Sequence, residues 1–233
     1  MKKISEKERI RKLLRDKANV ILDMGCGENK APGSIGVDFR KMKDVDIVQD
    51  LSKYPWSNIP DECADVVRTS HLLEHIDPSP ANTQLAGLID LLLDKGLVTQ
   101  KEIDAQIGHY RFLGGLIEWM DEAWRVLKPG GQAQHVFPYA GSNGYWMDPS
   151  HVNPMTHITM TYFDPLAKDP SGNLYNLYTI YRPKPWKLLR CYYDTVGFVE
   201  IAMEKRKIDP SYHTLDNTME ANNIDKTKKH GKK

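Results

Sequence analysis

Short apolar runs alternate with glycines, acidic residues and longer amphipathic stretches through the first part of the chain. The run Val20-Ile21-Leu22 is short and β-branched, as is typical of a central parallel strand covered on both faces. A second short run follows after a glycine-containing turn, without an amphipathic stretch between them. The pattern therefore predicts an α/β domain whose first two strands lie at 20–22 and 35–37.

The segment from His75 to Trp124 is longer than a simple strand-helix-strand connection requires. Leucines recur at helical spacing up to Leu92, and Lys95-Gly96 would end that helix. Thr99 and Glu102 match a capping box, which would open a second helix. We interpret residues 78–117 as a helical insertion. The sequence leaves open whether the insertion is a packing element, a lid over a ligand or a dimer contact.

The last third of the chain predicts the edge of the sheet. Trp186–Tyr193 has the pattern of a helix, and Val199–Met203 alternates as a strand. Residues 217–233 are polar and rich in lysine, which predicts a mobile tail. We therefore expect a single domain over 1–216.

Composition limits the possible partners and the compartment. Lys and Arg total 32 against 31 acidic residues, so no strong global field favours nucleic acid or a membrane surface. The three cysteines lack metal-ligand spacing and indicate a reducing compartment, so we expect a cytoplasmic protein. We find neither a spanning apolar run nor the apolar core of a signal peptide.

The turn after the first strand carries the strongest functional signal. Gly25-Cys26-Gly27 lets the backbone turn sharply and approach a ligand closely. Asp38 ends the second strand, where it could accept hydrogen bonds from a ribose diol. A dinucleotide site would need a third glycine and a longer crossover than the 11 positions that separate Gly27 from Asp38. The turn therefore predicts a nucleotide-like ligand and argues against a dinucleotide.

This turn resembles motif I of the class I S-adenosylmethionine-dependent methyltransferases, and further matches follow in the family's order. Val45–Leu51 resembles the third strand and its acidic loop, Cys63–His71 the fourth strand, and Glu122–Gly131 the turn before the fifth. The shortened first crossover is similar to that of a compact subgroup. The resemblance implies a three-layer Rossmann-like fold with a mostly parallel seven-stranded sheet, an antiparallel edge strand and the helical insertion after strand 4.

The resemblance also implies the cofactor, S-adenosyl-L-methionine, and the residues that contact it. Those residues are Asp23, Gly25, Cys26, Gly27, Asp38, Phe39, Asp50, Leu51, Ser70 and His71.

Candidate catalytic residues lie after the fourth and fifth predicted strands. Methyl transfer needs a general base only where the acceptor must lose a proton. His151 follows an aromatic, glycine-containing loop that would suit an acceptor pocket, and Asp148 could orient it as the base. Alternatively, Asp148 caps the turn and His151 bonds to backbone. His75 is the third candidate, with a structural role as its alternative.

Residues 71–75, HLLEH, also fit the H-x-x-E-H pattern of some zinc proteases. Such a site needs both histidines on one helix face and a further ligand downstream. Because the segment begins at a strand end, we expect no metal site.

The favoured function is methyl transfer to a small-molecule, sugar or lipid-like acceptor. The first alternative is a nucleic-acid methyltransferase, for which near-neutral charge and the lack of a nucleophile motif are unfavourable. The second is a non-catalytic partner subunit with a cofactor fold, which the intact glycines and acidic residues oppose. A homodimer could form through the insertion, and we expect no membrane partner.

Overall fold

The computed structural model describes residues 4–77, 91–99, 102, 115–175, 178 and 183–214. Seven strands of this part form one sheet in the order β3-β2-β1-β4-β5-β7-β6. Strands β1 to β5 pair in parallel, and β7 is antiparallel to both of its neighbours. The predicted fold class is therefore confirmed. The strands are β1 Ile21–Met24, β2 Ile35–Asp38, β3 Ile47–Val48, β4 Ala64–Ser70, β5 Leu127–Pro138, β6 Trp186–Tyr193 and β7 Phe198–Lys205.

Three α-helices and three 3₁₀ turns are described over their full length, and residues 91–94 belong to the end of a further helix. Ser5 and Glu8 form a capping box at the start of the first helix. No helix of the described residues is long and apolar enough to cross a bilayer. The helices are α1 Glu6–Arg15, α2 Gly115–Val126 and α3 Asn143–Trp146, and the 3₁₀ turns are Leu73–His75, Thr159–Phe163 and Pro210–Thr214.

The two faces of the sheet differ in polarity. Helix α2 packs on the apolar face, where Trp119 makes edge contacts with the rings of Trp56 and His135. The strand registers align Val67, Ala133 and Met203 on this same face, and all three are fully buried. The other face carries polar side chains on the same strands. Burial of the first face is what holds the strand ends in fixed positions.

A short loop replaces the first crossover helix. The Asp23 carboxylate, near the carboxyl end of the central strand β1, accepts a hydrogen bond of 2.7 Å from the Ala31 amide and so ties the loop to that strand. Gly36 allows the loop after β2 to approach closely, since a Cβ there would lie 2.2 Å from the carbonyl oxygen of Asp44. The Asp23 carboxylate thus holds the crossover against β1, and the close approach at Gly36 holds the loop after β2.

Within the insertion, the described residues agree with the predicted helix boundaries. The Gly96 amide donates to the carbonyl of Leu93 and the Leu97 amide to that of Leu92, which ends a helix there. Thr99 and Glu102 form the predicted capping box. Most of the range 78–117 lies outside the described residues, as does the predicted tail at 217–233.

One expectation about the edge of the sheet was wrong. Trp186–Tyr193 is strand β6 rather than a helix, because it pairs along its length with β7 across a tight hairpin. The hairpin turn is held by the Asp194 carboxylate, which accepts hydrogen bonds from three following amides. The third strand is Ile47–Val48, and the residues after it turn away from the sheet, as expected for the acidic loop within Val45–Leu51.

Candidate functional site

A cavity of about 490 Å³ opens at the carboxyl ends of β1, β2 and β4. Strand order changes direction between β1 and β4, and ligands of open α/β sheets bind at such a position. Loops that follow four strands contribute to its wall. The lining residues are Gly25, Asp38, Phe39, Arg40, Asp50, Leu51, Ser52, Leu72, His75 and Ile76.

The glycine turn shapes one wall of this cavity. Gly25 and Gly27 have φ angles of +69° and +56°, which favour glycine. The Gly25 amide donates to the carbonyl of Val37, at 2.8 Å, so the turn is held against β2. A Cβ on Gly25 would lie 2.8 Å from a methyl carbon of Leu72. The turn therefore leaves room for a ligand only while this position is glycine.

Two carboxylates face the same cavity. Asp38 is almost fully buried, and its two oxygens accept the amides of Gly27 (3.1 Å) and Arg40 (3.0 Å). Each oxygen can accept a second hydrogen bond, so a ligand hydroxyl can still bind. Asp50 accepts the hydroxyl of Ser52 at 2.6 Å, which lowers the pKa of Asp50 below its usual value. The cavity thus offers acceptors for a polyhydroxylated ligand.

Two of the predicted cofactor residues are directed into the protein rather than lining the cavity. Asp23 holds the crossover loop and lies 3.6 Å from a guanidinium nitrogen of Arg68. Burial, followed by the charges of Asp23 and Asp38, raises the pKa of the Cys26 thiol to about 11. Cys26 therefore stays a neutral thiol packed beneath the turn.

The two candidates at the end of β4 are also absent from the cavity wall. Ser70 is exposed. His71 has a φ of +55° and its ring stacks edge-on against Phe198. Its Nδ1 lies 3.1 Å from Oε1 of Glu74, and this hydrogen bond raises the pKa of His71. His71 is therefore tied to a buried carboxylate beside the cavity.

The three predicted catalytic residues do come together. His75 lines the cavity, and its ring centroid lies 4.7 Å from that of His151. Nδ1 of His75 lies 3.2 Å from the hydroxyl and 3.3 Å from the carbonyl oxygen of Ser150. Residues that follow β4 and β5 thus meet at one place beside the cavity.

His151 has a defined tautomer in its neutral form. Its Nδ1 lies 2.7 Å from the carbonyl oxygen of Tyr145, which can only accept, so Nδ1 carries the proton. Nε2 then has a free electron pair, 3.8 Å from Oδ2 of Asp148 and 4.0 Å from Oε1 of Glu74. Asp148 meanwhile caps the turn through the amide and hydroxyl of Ser150. His151 therefore bonds to backbone and Asp148 caps the turn, as expected if both residues are structural. Nε2 of His151 is nevertheless left with an electron pair that could accept a proton.

Glu74 is the member of this group that the candidate list did not include. Its side chain is fully buried, and Oε2 has no hydrogen-bond partner among the described residues. Its carbonyl oxygen accepts the amides of both Val152 and Asn153, at 2.9 and 3.0 Å. The H-x-x-E-H pattern contained this residue, but only the fold brings His151 to it.

The sheet order and the cavity at its switch point define a class I, Rossmann-like methyltransferase fold. No protein-family model matches the sequence, and no curated protein matches it. An S-adenosylmethionine-dependent methyltransferase from Archaeoglobus fulgidus is similar in structure. It is 17% identical in sequence, the similarity covers 86% of this chain and 95% of that chain, and the TM-score is 0.42.

Two further similar structures have acceptors stated for them. A 16S rRNA (adenine(1408)-N(1))-methyltransferase from Catenulisporales acidiphilia is 13% identical, covering 89% of this chain and 94% of that chain, with a TM-score of 0.44. Phosphoethanolamine N-methyltransferase 1 of Haemonchus contortus is 10% identical, covering 88% of this chain and 43% of that chain, with a TM-score of 0.45. All three TM-scores lie below 0.5. These similarities therefore carry no function over to this chain, whose own geometry must indicate one.

Proposed function

We propose that this protein transfers the methyl group of S-adenosylmethionine to a small-molecule acceptor by in-line displacement. The observation that carries the proposal is the cavity at the switch point of the sheet, lined by two carboxylates and by His75, whose ring packs against that of His151. Its volume of about 490 Å³ is within the range of small-ligand sites.

On the cofactor side, the chain supplies acceptors and a close backbone turn. Asp38 would accept the ribose hydroxyls, since each of its oxygens has one bonding position left. Leu51 and Ile76 give apolar surface for a flat ring system. When bound, S-adenosylmethionine supplies an electrophilic methyl group with its own leaving group, so the protein must chiefly orient the acceptor and exclude water.

On the acceptor side, Nε2 of His151 is the atom that would accept a proton. The carbonyl of Tyr145 holds the proton on Nδ1, and the carboxylates of Glu74 and Asp148 would stabilise the imidazolium that forms. Proton removal of this kind contributes roughly 10²–10⁴-fold to rate. The mechanism suits a hydroxyl acceptor, which must lose its proton as the methyl group arrives.

A small molecule is favoured over nucleic acid on charge. The formal net charge is only +1, and phosphate binding depends on clustered Lys and Arg. Phe39 and Trp146 are exposed beside the two halves of the site and give apolar surface for such an acceptor.

Calorimetry with S-adenosylmethionine and its demethylated product tests the cofactor half. We expect binding of both ligands, and we expect Asp38→Ala to weaken it roughly 10- to 100-fold through the loss of hydrogen bonds to a charged group. Glu6→Ala, which removes an exposed carboxylate on α1, is the matched control. Absence of binding to the folded wild-type protein at millimolar ligand would refute the proposal.

His151→Ala tests the acceptor half. We expect turnover to fall by about 10²–10⁴-fold, while the cofactor dissociation constant stays unchanged. His157→Ala, at an exposed histidine, should leave both quantities unchanged. A loss of cofactor binding in parallel with turnover would point to a structural role for His151 instead.

A further inference from the structure

Three metal-ligating side chains converge beside the cofactor cavity. Glu74, His75 and His151 each offer one ligand atom, and these atoms all lie within 4.8 Å of one another. One carboxylate with two imidazoles is a donor set that binds zinc in proteins. The set is assembled from the 3₁₀ turn after β4 and the loop after β5, so no contiguous motif contains it.

The buried carboxylate gives an independent reason for a cation. Glu74 is fully buried, and its Oε2 has no hydrogen-bond partner among the described residues. A buried carboxylate oxygen that lacks a partner is costly, and coordination of a metal is one of the ways in which proteins offset that cost. The half-buried His71 bonds only to the other oxygen, Oε1.

Backbone carbonyls prepare both histidines for coordination. The carbonyl of Tyr145 accepts from Nδ1 of His151 at 2.7 Å, and that of Ser150 lies 3.3 Å from Nδ1 of His75. Each contact favours a proton on Nδ1 and an electron pair on Nε2. A hydrogen bond from the second ring nitrogen to a carbonyl is the usual support of a metal-bound histidine.

We propose that Glu74, His75 and His151 bind one divalent transition-metal ion, for which Zn²⁺ is the best chemical match. Ligand atoms of a tetrahedral zinc site lie about 3.3 Å apart. The 4.0 Å between Glu74 Oε1 and His151 Nε2 must therefore shorten by a side-chain rotation. Asp148, whose Oδ2 lies 3.8 Å from the same Nε2, stands on the exposed side as a further oxygen ligand.

This proposal revises the expectation that the chain has no metal site. The zinc-protease pattern would pair His71 with His75, whereas the fold pairs His75 with His151. Metal binding needs neither the sulfonium cofactor nor an acceptor, so it goes beyond the proposed function. The ion and the acceptor's proton would compete for the electron pair on Nε2 of His151, and methyl transfer should slow when the site is loaded.

Titration of chelator-treated, full-length protein with Zn²⁺ in a calorimeter tests the site, with Co²⁺ absorption spectra as the second measurement. We expect one ion per chain and the visible d–d bands of tetrahedral Co²⁺. His75→Ala should weaken binding at least tenfold, and it should fold normally because the side chain is exposed. Glu74→Gln, nearly identical in shape, should weaken binding as well.

Two control variants separate this site from adventitious binding. His157→Ala and Cys191→Ser alter exposed residues that are not in the cluster, and both should bind the ion like the wild type. The proposal is overturned if Zn²⁺ does not bind, if His75→Ala and Glu74→Gln bind it unchanged, or if Cys191→Ser abolishes binding. Failure of S-adenosylmethionine to bind would refute the proposed function and leave this result intact.

Discussion

His135 should make the protein sensitive to mild acid. The side chain lies on β5 and is fully buried, with Nδ1 2.9 Å from the hydroxyl of Thr69 and the ring of Trp119 edge-on at 5.5 Å. Its Nε2 has no hydrogen-bond partner among the described residues. Burial lowers the pKa of His135 from 6.5 to about 3. The folded protein therefore keeps this imidazole neutral over a range in which the unfolded chain protonates it.

The sign and size of the effect follow from this difference. Between pH 6.5 and about pH 3 the unfolded chain binds one more proton at this residue, so stability falls as the pH is lowered. A pH of 5 lies about 1.5 units below the pKa of this histidine in the unfolded chain. Protonation of the unfolded chain at that pH lowers the free energy of unfolding by about 2 kcal/mol.

Urea unfolding at pH 7 and at pH 5 measures this loss, and His135→Gln is the informative variant. Glutamine does not titrate, yet it keeps an amide group for the hydroxyl of Thr69. Other groups titrate in both proteins, so the difference between them isolates His135. We expect the wild type to lose about 2 kcal/mol more than the variant on acidification. Equal losses in the two proteins would refute the reasoning.

Two pairs of substitutions test the close packing at Gly36 and the hydrogen bonds of Arg125. Gly36→Ala should cost about 3 kcal/mol and lower the melting temperature, because its Cβ would overlap the carbonyl of Asp44. Gly27→Ala should cost about 1 kcal/mol, because the added Cβ meets open space but the φ is positive. Equal melting temperatures of the two variants would contradict this. Arg125→Met should cost about 2 kcal/mol in urea unfolding because Arg125 bonds to Glu122 and to the carbonyl of Ile59. Arg190→Met is the control, because Arg190 pairs with Glu200 at an exposed site, and we expect it to cost less than about 1 kcal/mol. A loss as large as that of Arg125→Met would contradict the role given to the Arg125 hydrogen bonds.

Sequence patterns predicted the sheet where the strands are buried, and they failed at its edge. Strands β1 and β2 are short apolar runs beside the glycine turn and Asp38, so the same residues mark the strands and the candidate site. Strand β6 lies at the edge of the sheet, and most of its side chains are exposed. Such a strand has no reason to alternate, and its pattern can be mistaken for that of a helix. Its pairing with β7 decides the structure, and pairing is not visible in a local window.

The candidate site shows the same limit. Asp38, Asp50 and Leu51 were predicted from motifs next to strands, and they line the cavity. The role of Glu74 depends on a contact between loops 75 residues apart, and its burial comes from that packing. Likewise, the tautomer of His151 is set by the backbone of Tyr145, which no side-chain pattern encodes.

The carbonyl oxygen of Glu74 has a consequence for how the two halves of the site respond to ligands. It accepts the amides of Val152 and Asn153, so the loop after β5 is fastened to the 3₁₀ turn whose His75 lines the cavity. A ligand that orders either segment must restrict the other. In the proposed reaction, if the cofactor tightens the binding of the acceptor through this link, the acceptor should tighten the binding of the cofactor by the same factor.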